Sequence, residues 1–222
     1  MTTPLKIGHR GAKGHVAENT IESIKKAISL KVDMIEIDVH LCKTGELVVI
    51  HDEELDSTTT CTGFVGEKSL KELKSCRTSE GYQIPTLKEV LDVIQDKVIL
   101  NIELKGEGTA LPVLDLLEKR PESRILISSF NFNELMSLRS QNTTIPLAVL
   151  TEDDMSIAFL QARHLKAAAI HPYYKLVTRD FIGDCHRNKI KVNVWTVNKT
   201  EKIKKMKDLG VDGIISDFPD RI

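Results

Sequence analysis

The sequence has almost no excess of either charge. Its 222 residues include 31 lysines and arginines and 32 aspartates and glutamates, so the formal net charge is −1 at pH 7 with the histidines neutral. The chain as a whole therefore offers no electrostatic attraction to nucleic acid or to anionic membranes. We expect no nucleic-acid partner, and any site that binds an anion must be local.

The chain also lacks a long apolar run. No segment approaches the roughly 20 consecutive apolar residues that cross a bilayer, so stable insertion into a membrane is not expected. The first predicted strand begins within the opening segment MTTPLKIGHRG. This leaves no space for the charged region, apolar region and cleavage site of a secretory signal, and we do not expect export by that route.

Cysteines are few and widely separated. The four of them show neither CxxC spacing nor the density of a disulfide-rich secreted domain. This pattern favours a soluble protein of the reducing cytoplasm. The cysteines are Cys42, Cys61, Cys76 and Cys185.

What the sequence does contain is a regular alternation of strand-like and helix-like segments. A chain of this length is most simply one domain, here residues 1–222. Eight strands separated by helices predict an α/β fold, a (β/α)₈ TIM barrel, with a doubly wound open sheet as the alternative. Asn19 followed by Glu22 predicts a capping box at the first helix. The predicted strands are 5–8, 33–39, 97–104, 124–129, 145–150, 166–171, 190–196 and 212–216. The predicted helices are 20–30, 86–95, 108–119, 131–140, 153–163, 178–188 and 199–209.

One further apolar run, residues 47–51, follows the second strand too closely for a parallel crossover, which needs about a dozen residues or more. The turn sequence KTGE at 43–46 therefore predicts an antiparallel hairpin. With the turn centred on its two middle residues, His51 lies opposite Asp38, although a shift of one residue stays open. Residues 52–85 then form an insertion subdomain beside this hairpin, since so long an excursion from a barrel usually has a purpose.

Three carboxylates lie near the ends of two predicted strands. Glu36 and Asp38 alternate on the second strand, and Glu103 lies on the third. On an exposed strand such acids are ordinarily solvated, but the apolar residues that flank these three indicate buried strands, where unpaired charge is costly. Carboxylates without a cysteine or histidine partner favour a hard cation over zinc. We predict that they bind one divalent cation, Mg²⁺ or Ca²⁺.

Two histidines belong to the same predicted end of the barrel. His9 follows the first strand and His51 ends the hairpin. A lone histidine is more often structural, but phosphodiester cleavage needs one group to accept a proton and another to donate one, and two imidazoles can divide that work. Which histidine does which is open. His171 ends another strand and is a weaker candidate, and the remaining histidines are interpreted as structural or solvated.

Two cations and one aromatic residue complete the predicted site. Arg10 and Lys105 lie at strand ends beside the carboxylates, where they are predicted to bind phosphate rather than to be simple surface charges. Trp195, the single tryptophan, ends a strand and is predicted to pack against the apolar face of a glycerol or sugar group, with core packing as the alternative.

Five segments of the chain form an ordered set of motifs: HRGAKGHVAENT, DMIEIDVHLCKTGELVVIHD, LNIELKG, VNVWTVN and GVDGIISDFP. In this order they closely resemble the glycerophosphodiester phosphodiesterase family. The resemblance extends from His9 to Pro219, and it implies a (β/α)₈ barrel with an insertion after the second strand. It also implies metal-dependent hydrolysis of a small glycerophosphodiester to glycerol 3-phosphate and an alcohol.

Two alternatives to the activity that the resemblance implies remain. One is a related phosphodiesterase that acts on lysophospholipids or phosphoinositides and releases a cyclic phosphate, and the other is a non-catalytic protein that binds glycerophosphodiesters.

The resemblance also implies roles for the candidate residues. These roles are acid and base catalysis for His9 and His51, metal binding for Glu36, Asp38 and Glu103, phosphate binding for Arg10 and Lys105, and support of the site for Glu18.

Overall fold

The chain folds into a closed barrel of parallel strands. The computed structural model describes residues 3–95, 97–121 and 124–222. Within this part of the chain the strands are β1 (Leu5–Gly8), β2 (Met34–Leu41), β3 (Leu47–Val49), β4 (Ile99–Leu104), β5 (Ile125–Ser129), β6 (Leu147–Thr151), β7 (Ala169–Pro172), β8 (Lys191–Val194) and β9 (Gly213–Ser216). The sheet order is β1-β9-β8-β7-β6-β5-β4-β2, and pairing of β1 with β2 closes the ring. The predicted TIM barrel is confirmed.

Helices surround the barrel. They are α1 (Ile21–Ser29), α2 (Leu70–Ser75), α3 (Leu87–Ile94), α4 (Ala110–Glu118), α5 (Phe132–Gln141), α6 (Met155–Leu165), α7 (Arg179–Arg187) and α8 (Thr200–Leu209). All except α2 connect successive barrel strands, and a short 3₁₀ turn at Pro219–Arg221 stands in place of a helix after β9. The helices bury an apolar face against the sheet, as Val90 and Leu91 of α3 do. Of the helices in the described residues, none has the length and apolar character needed to cross a bilayer.

The first helix begins one residue later than predicted. Thr20, not Asn19, is the N-cap, and its hydroxyl accepts a hydrogen bond from the amide of Ser23. Asn19 instead has a φ of 56°, in the left-handed region, and its side chain contacts Asp38 on β2. The predicted capping box with Glu22 is wrong because the Asn19 amide group bonds to Asp38 on the neighbouring strand.

The hairpin is confirmed, but its register differs by one residue from the central prediction. Val39 is opposite Val49, and the amide of Ile50 donates to the carbonyl oxygen of Asp38 at 3.1 Å. Asp38 therefore lies opposite Ile50, not His51. The connection has three residues between Cys42 and Glu46, and its last residue is a glycine in the left-handed region. His51 lies past the paired residues in a bend, so strand alternation does not fix its direction.

Residues 52–85 surround a second, smaller apolar core. Leu55, Leu73 and Ile84 pack together against Val48 and Ile50 of the hairpin. The insertion therefore packs on β3 and on the residue that leads from β3 to His51.

Two of the cysteines are paired, which was not predicted from the sequence. Cys61 and Cys76 form a disulfide, with their sulfur atoms 2.07 Å apart. Their neighbours bring them together, because the amide of Thr60 donates to the carbonyl of Arg77 at 2.8 Å. Since the two cysteines are 15 residues apart in the sequence, their spacing gave no indication of this contact.

Candidate active site

The three predicted metal-binding carboxylates lie together at the carboxyl end of the barrel. Glu36 and Asp38 on β2 face the same interior as Glu103 on β4, and Asp38 is in register with Glu103. Each is at most 8% exposed, and each offers an oxygen within 4.8 Å of the others. Adjacent parallel strands and a two-residue spacing therefore bring the three acids to one point.

This cluster is unfavourable as it stands and fits a divalent cation. Burial and the negative charges of Asp38 and Glu103 raise the pKa of Glu36 well above its usual range. Burial and the charge of Asp38 likewise raise the pKa of Glu103 to about 7. The Oε1 atom of Glu36 is buried and has no hydrogen-bond partner among the described residues. An all-oxygen, acidic donor set with an unsatisfied atom is suited to Mg²⁺ or Ca²⁺.

Residues from the first loop hold these carboxylates in place. The Asn19 side chain donates to Asp38 Oδ2 at 2.9 Å and accepts from the Asp38 amide at 3.3 Å. The amide of Arg10 donates to Glu36 Oε2 at 2.9 Å. Asn19 was not among the predicted site residues, and its left-handed backbone is what turns its amide group towards β2.

Replacing Asn19 with alanine will therefore destabilise the protein. The change removes two hydrogen bonds to Asp38. It also places alanine, whose side chain cannot form the local hydrogen bonds that make the left-handed region accessible to asparagine, at a positive φ. Together these effects should lower the free energy of unfolding by about 2–3 kcal/mol. Replacing it with glycine removes the same bonds but relieves the backbone, and it should cost about 1 kcal/mol less than alanine. Urea unfolding of both variants measures the difference. Equal stability of the two would show that the backbone conformation contributes nothing.

His9 is oriented by a carboxylate from the neighbouring strand. Its Nδ1 lies 2.6 Å from Asp217 Oδ1, just after β9, and its Nε2 lies 4.0 Å from Glu36 Oε2. Asn198 donates to the other oxygen of Asp217 at 2.6 Å. Burial alone would raise the pKa of Asp217, but the hydrogen bond and charge of His9, together with the hydrogen bond from Asn198 and the charge of Lys13, outweigh it and lower that pKa. The carboxylate fixes the ring and leaves Nε2 facing the acidic cluster.

His51 has an equivalent arrangement from the opposite side. Its Nδ1 lies 2.6 Å from Asp52 Oδ1, and its Nε2 lies 3.2 Å from the ammonium group of Lys105. Because an ammonium group only donates, Nε2 accepts this hydrogen bond and the ring proton lies on Nδ1. Burial lowers the pKa of His51, which favours this neutral form. Ser57 also donates to Asp52, so the carboxylate is held from two sides.

The two predicted phosphate-binding cations border the same space. Arg10 bonds to Glu18 Oε1 through Nη1 at 2.6 Å, and its Nε lies 3.4 Å from Asp38 Oδ2. Glu18 also pairs with Lys13 at 2.6 Å. Lys105 lies 3.3 Å from Glu103. Acidic neighbours therefore hold both cations beside the cluster, and Glu18, whose supporting role stays a prediction, contacts Arg10 and Lys13.

A cavity of about 90 Å³ joins these groups. Trp195 forms one wall, with its ring edge-on to Phe130 and the ring centres 5.5 Å apart. The indole nitrogen donates to the backbone oxygen of His171 at 2.7 Å, which fixes the ring. His171 itself lies at the cavity floor. Seven of the nine predicted site residues line the cavity: His9, Arg10, Glu36, His51, Glu103, Lys105 and Trp195.

Several residues of the site were missed. Asp217 follows the last barrel strand, so the rule that selected His9 would have found it. Asp52 adjoins His51 in the sequence, and Phe130 directly follows β5. Asn198 and Asn19 had no such signal, because their roles depend on contacts with distant segments.

Known proteins match nearly the whole chain. The model of the glycerophosphoryl diester phosphodiesterase family matches residues 9–221. Among curated relatives, a glycerophosphodiester phosphodiesterase of Caldanaerobacter subterraneus subsp. tengcongensis is 36% identical over 98% of this chain and 96% of its own. One of Bacillus altitudinis is 36% identical over 96% and 94%.

Solved structures show the same relationship. A phosphodiesterase of Oleispira antarctica, in complex with the product sn-glycerol-3-phosphate, is 30% identical to this chain. It superposes with a TM-score of 0.92 over 97% of this chain and 94% of its own. The match of the family model to nearly the whole chain, together with these relatives, leads to one conclusion. The chain belongs to the glycerophosphoryl diester phosphodiesterase family.

Proposed function

We propose that the protein hydrolyses glycerophosphodiesters to glycerol 3-phosphate and an alcohol, with one divalent cation, Mg²⁺ or Ca²⁺, as cofactor. The observation that carries this proposal is a single cavity lined by two carboxylate-bound histidines and by Glu36 and Glu103, two members of the buried cluster of three acids. The product complex of the Oleispira antarctica relative supports the same substrate class.

The two imidazoles supply the proton transfers. In this proposal one of His9 and His51 accepts a proton from the nucleophile, and the other donates a proton to the leaving oxygen. The nucleophile is either water or the substrate's own 2-hydroxyl, which would expel the alcohol to give a cyclic phosphate that water then opens to glycerol 3-phosphate. Asp217 and Asp52 hold the Nδ1 atoms, so that each Nε2 is the atom that exchanges the proton.

The remaining residues bind and orient the substrate. Arg10 and Lys105 contact the phosphate, and Trp195 packs against the glycerol carbon atoms. Glu36, Asp38 and Glu103 hold the cation. When bound, the cation would stabilise negative charge on the phosphate oxygens as the diester is attacked.

The proposal includes one catalytic domain, 1–222, in which the insertion 52–85 supplies Asp52 and Ser57 to the site. The binding partner of this domain is its substrate, a small-molecule diester, rather than nucleic acid. A cytoplasmic location stays a prediction, and the Cys61–Cys76 disulfide removes part of its basis, because disulfides are rare in a reducing compartment.

A substrate panel tests the proposal. Purified protein is incubated with glycerophosphocholine or with a lysophospholipid, each in Mg²⁺, in Ca²⁺ and in excess chelator, and the released phosphates are identified. We expect glycerol 3-phosphate from glycerophosphocholine, and no product with chelator. A cyclic phosphate from the lysophospholipid alone would support the related phosphodiesterase instead. Tight binding of glycerophosphocholine without turnover would show a non-catalytic binding protein.

A further inference from the structure

The floor of the cavity carries polar atoms that the proposed proton transfers and metal binding do not use. Asn101 is 1% exposed and His171 is fully buried, yet both line the same cavity as Glu36 and Trp195. The Oδ1 atom of Asn101 and the Nδ1 atom of His171 have no hydrogen-bond partner anywhere in the described chain. Buried polar atoms are nearly always paired, so two unpaired ones at a cavity floor indicate a bound group.

His171 offers a hydrogen-bond donor to the cavity. The side-chain nitrogen of Asn193 donates to His171 Nε2 at 3.0 Å, so the ring proton lies on Nδ1. Burial lowers the pKa of His171 to about 3, which keeps the ring neutral over the ordinary pH range. The bond from the Trp195 indole to the His171 backbone oxygen holds this residue beside the aromatic wall.

Asn101 offers an acceptor from another strand. It lies on β4, in register with Glu36 and two residues before Glu103, so its side chain points to the barrel interior below the carboxylates. Leu150 and Ile215, which have no polar side-chain atom, line the same cavity. The cavity therefore presents one unpaired donor and one unpaired acceptor beside apolar side chains.

We propose that His171 and Asn101 bind the hydroxyl groups of the substrate's glycerol moiety, His171 Nδ1–H as donor and Asn101 Oδ1 as acceptor. This inference rests on the proposed function and extends it to substrate selection. A hydroxyl both donates and accepts, so it satisfies such atoms, whereas a methylene in its place leaves them buried and unpaired. Sites built to bond a hydroxyl reject analogues without it much more strongly than apolar pockets discriminate by size. Asn193 acts through His171, as a positioning residue that sets its tautomer.

Binding of three ligands to the metal-loaded protein tests this proposal. They are sn-glycerol 3-phosphate, propane-1,2-diol 1-phosphate, which lacks the terminal hydroxyl, and propane-1,3-diol monophosphate, which lacks the central one. Isothermal calorimetry gives each Kd. In the wild type we expect at least one analogue to bind about 10- to 100-fold more weakly than glycerol 3-phosphate. In His171→Leu we expect that ratio to fall to within about threefold, because the donor is gone.

Two further variants separate the proposed role from a structural one. His171→Gln keeps a donor and should recover part of the discrimination. Leu150→Ala changes a floor residue that has no polar side-chain atom, and it should weaken all three ligands by the same factor. The affinity for Mg²⁺ and Ca²⁺, measured without phosphate ligand, should be unchanged in His171→Leu. If that variant does not fold, Asn101→Leu tests the same pair with the same ligands.

The outcomes are distinguishable. An unchanged discrimination ratio in folded His171→Leu, with normal metal affinity, would overturn this inference and leave water as the occupant of the floor. Failure of the wild type to bind glycerol 3-phosphate or to hydrolyse any glycerophosphodiester would instead overturn the proposed function.

Discussion

Replacing His51 with alanine will lower kcat for glycerophosphodiester hydrolysis by about 10²–10⁴-fold, the usual contribution of a positioned acid or base. His51 and His9 lie on different segments, and each is bound by its own carboxylate. Neither can therefore take over the other's proton transfer. The Lys105 ammonium group that now bonds to Nε2 offers protons but no lone pair, so it does not replace a base. Steady-state kinetics with glycerophosphocholine measure the loss.

A matched control is available at the other end of the barrel. His186 is also bound to an aspartate, with its Nε2 2.7 Å from Asp212, but Asp212 precedes β9 and lies away from the cavity. His186→Ala should leave kcat within about twofold, because it removes a similar pair without touching the site. Near-normal turnover in His51→Ala would contradict the assignment of this residue.

The His51→Ala variant also identifies which proton transfer His51 performs. A glycerophosphodiester with p-nitrophenol as its leaving group needs little help from an acid, because the phenolate leaves readily without a proton. If His51 is the acid, His51→Ala will hydrolyse this substrate nearly as fast as the wild type does. If His51 is the base, the loss will be as large as with glycerophosphocholine. His9→Ala should show the opposite pattern.

The barrel and the convergence of the catalytic groups could be predicted because they follow from local patterns. Apolar strands alternating with amphipathic helices determine the barrel, and the carboxyl ends of its strands lie at one face. That rule alone places His9, Glu36 and Glu103 together. The hairpin was predictable from its short connection, since no parallel crossover fits there.

What could not be predicted depends on contacts between distant segments. The hairpin register depends on whether its turn has two or three residues, and a glycine in that turn is compatible with both. Asn19 is a good helix-capping residue in isolation, and only the nearby Asp38 carboxylate draws it away. The pairing of Cys61 with Cys76 similarly depends on how the insertion folds.

The acidic cluster also implies an exchange of stability for function. Glu36→Gln should raise the free energy of unfolding of the metal-free protein by about 0.5–2 kcal/mol, because it reduces the repulsion among the three carboxylates. This is the range found for single stabilising substitutions in other proteins. The glutamine oxygen can still accept from the Arg10 amide, and its nitrogen can donate to the Asp38 or Glu103 carboxylate. The variant should at the same time bind Mg²⁺ or Ca²⁺ at least about 100-fold more weakly. Even replacing a residue that only hydrogen-bonds to a metal ligand lowers metal affinity by about 10- to 100-fold.

Thermal unfolding in chelator and across a metal titration measures both effects. Saturating metal should raise the Tm of the wild type, because the metal binds the folded and not the unfolded protein, and leave the Tm of Glu36→Gln nearly unchanged.

Glu134→Gln is the matched control. It is another buried glutamate, but its two oxygens accept from the amides of Gly108 and Ala110 at 2.7 and 2.8 Å. An amide nitrogen cannot accept these bonds, so Glu134→Gln should lower stability and keep the metal response. If both variants lost stability equally in chelator, the carboxylates would not be repelling one another, and the physical basis for a cation at this site would be gone.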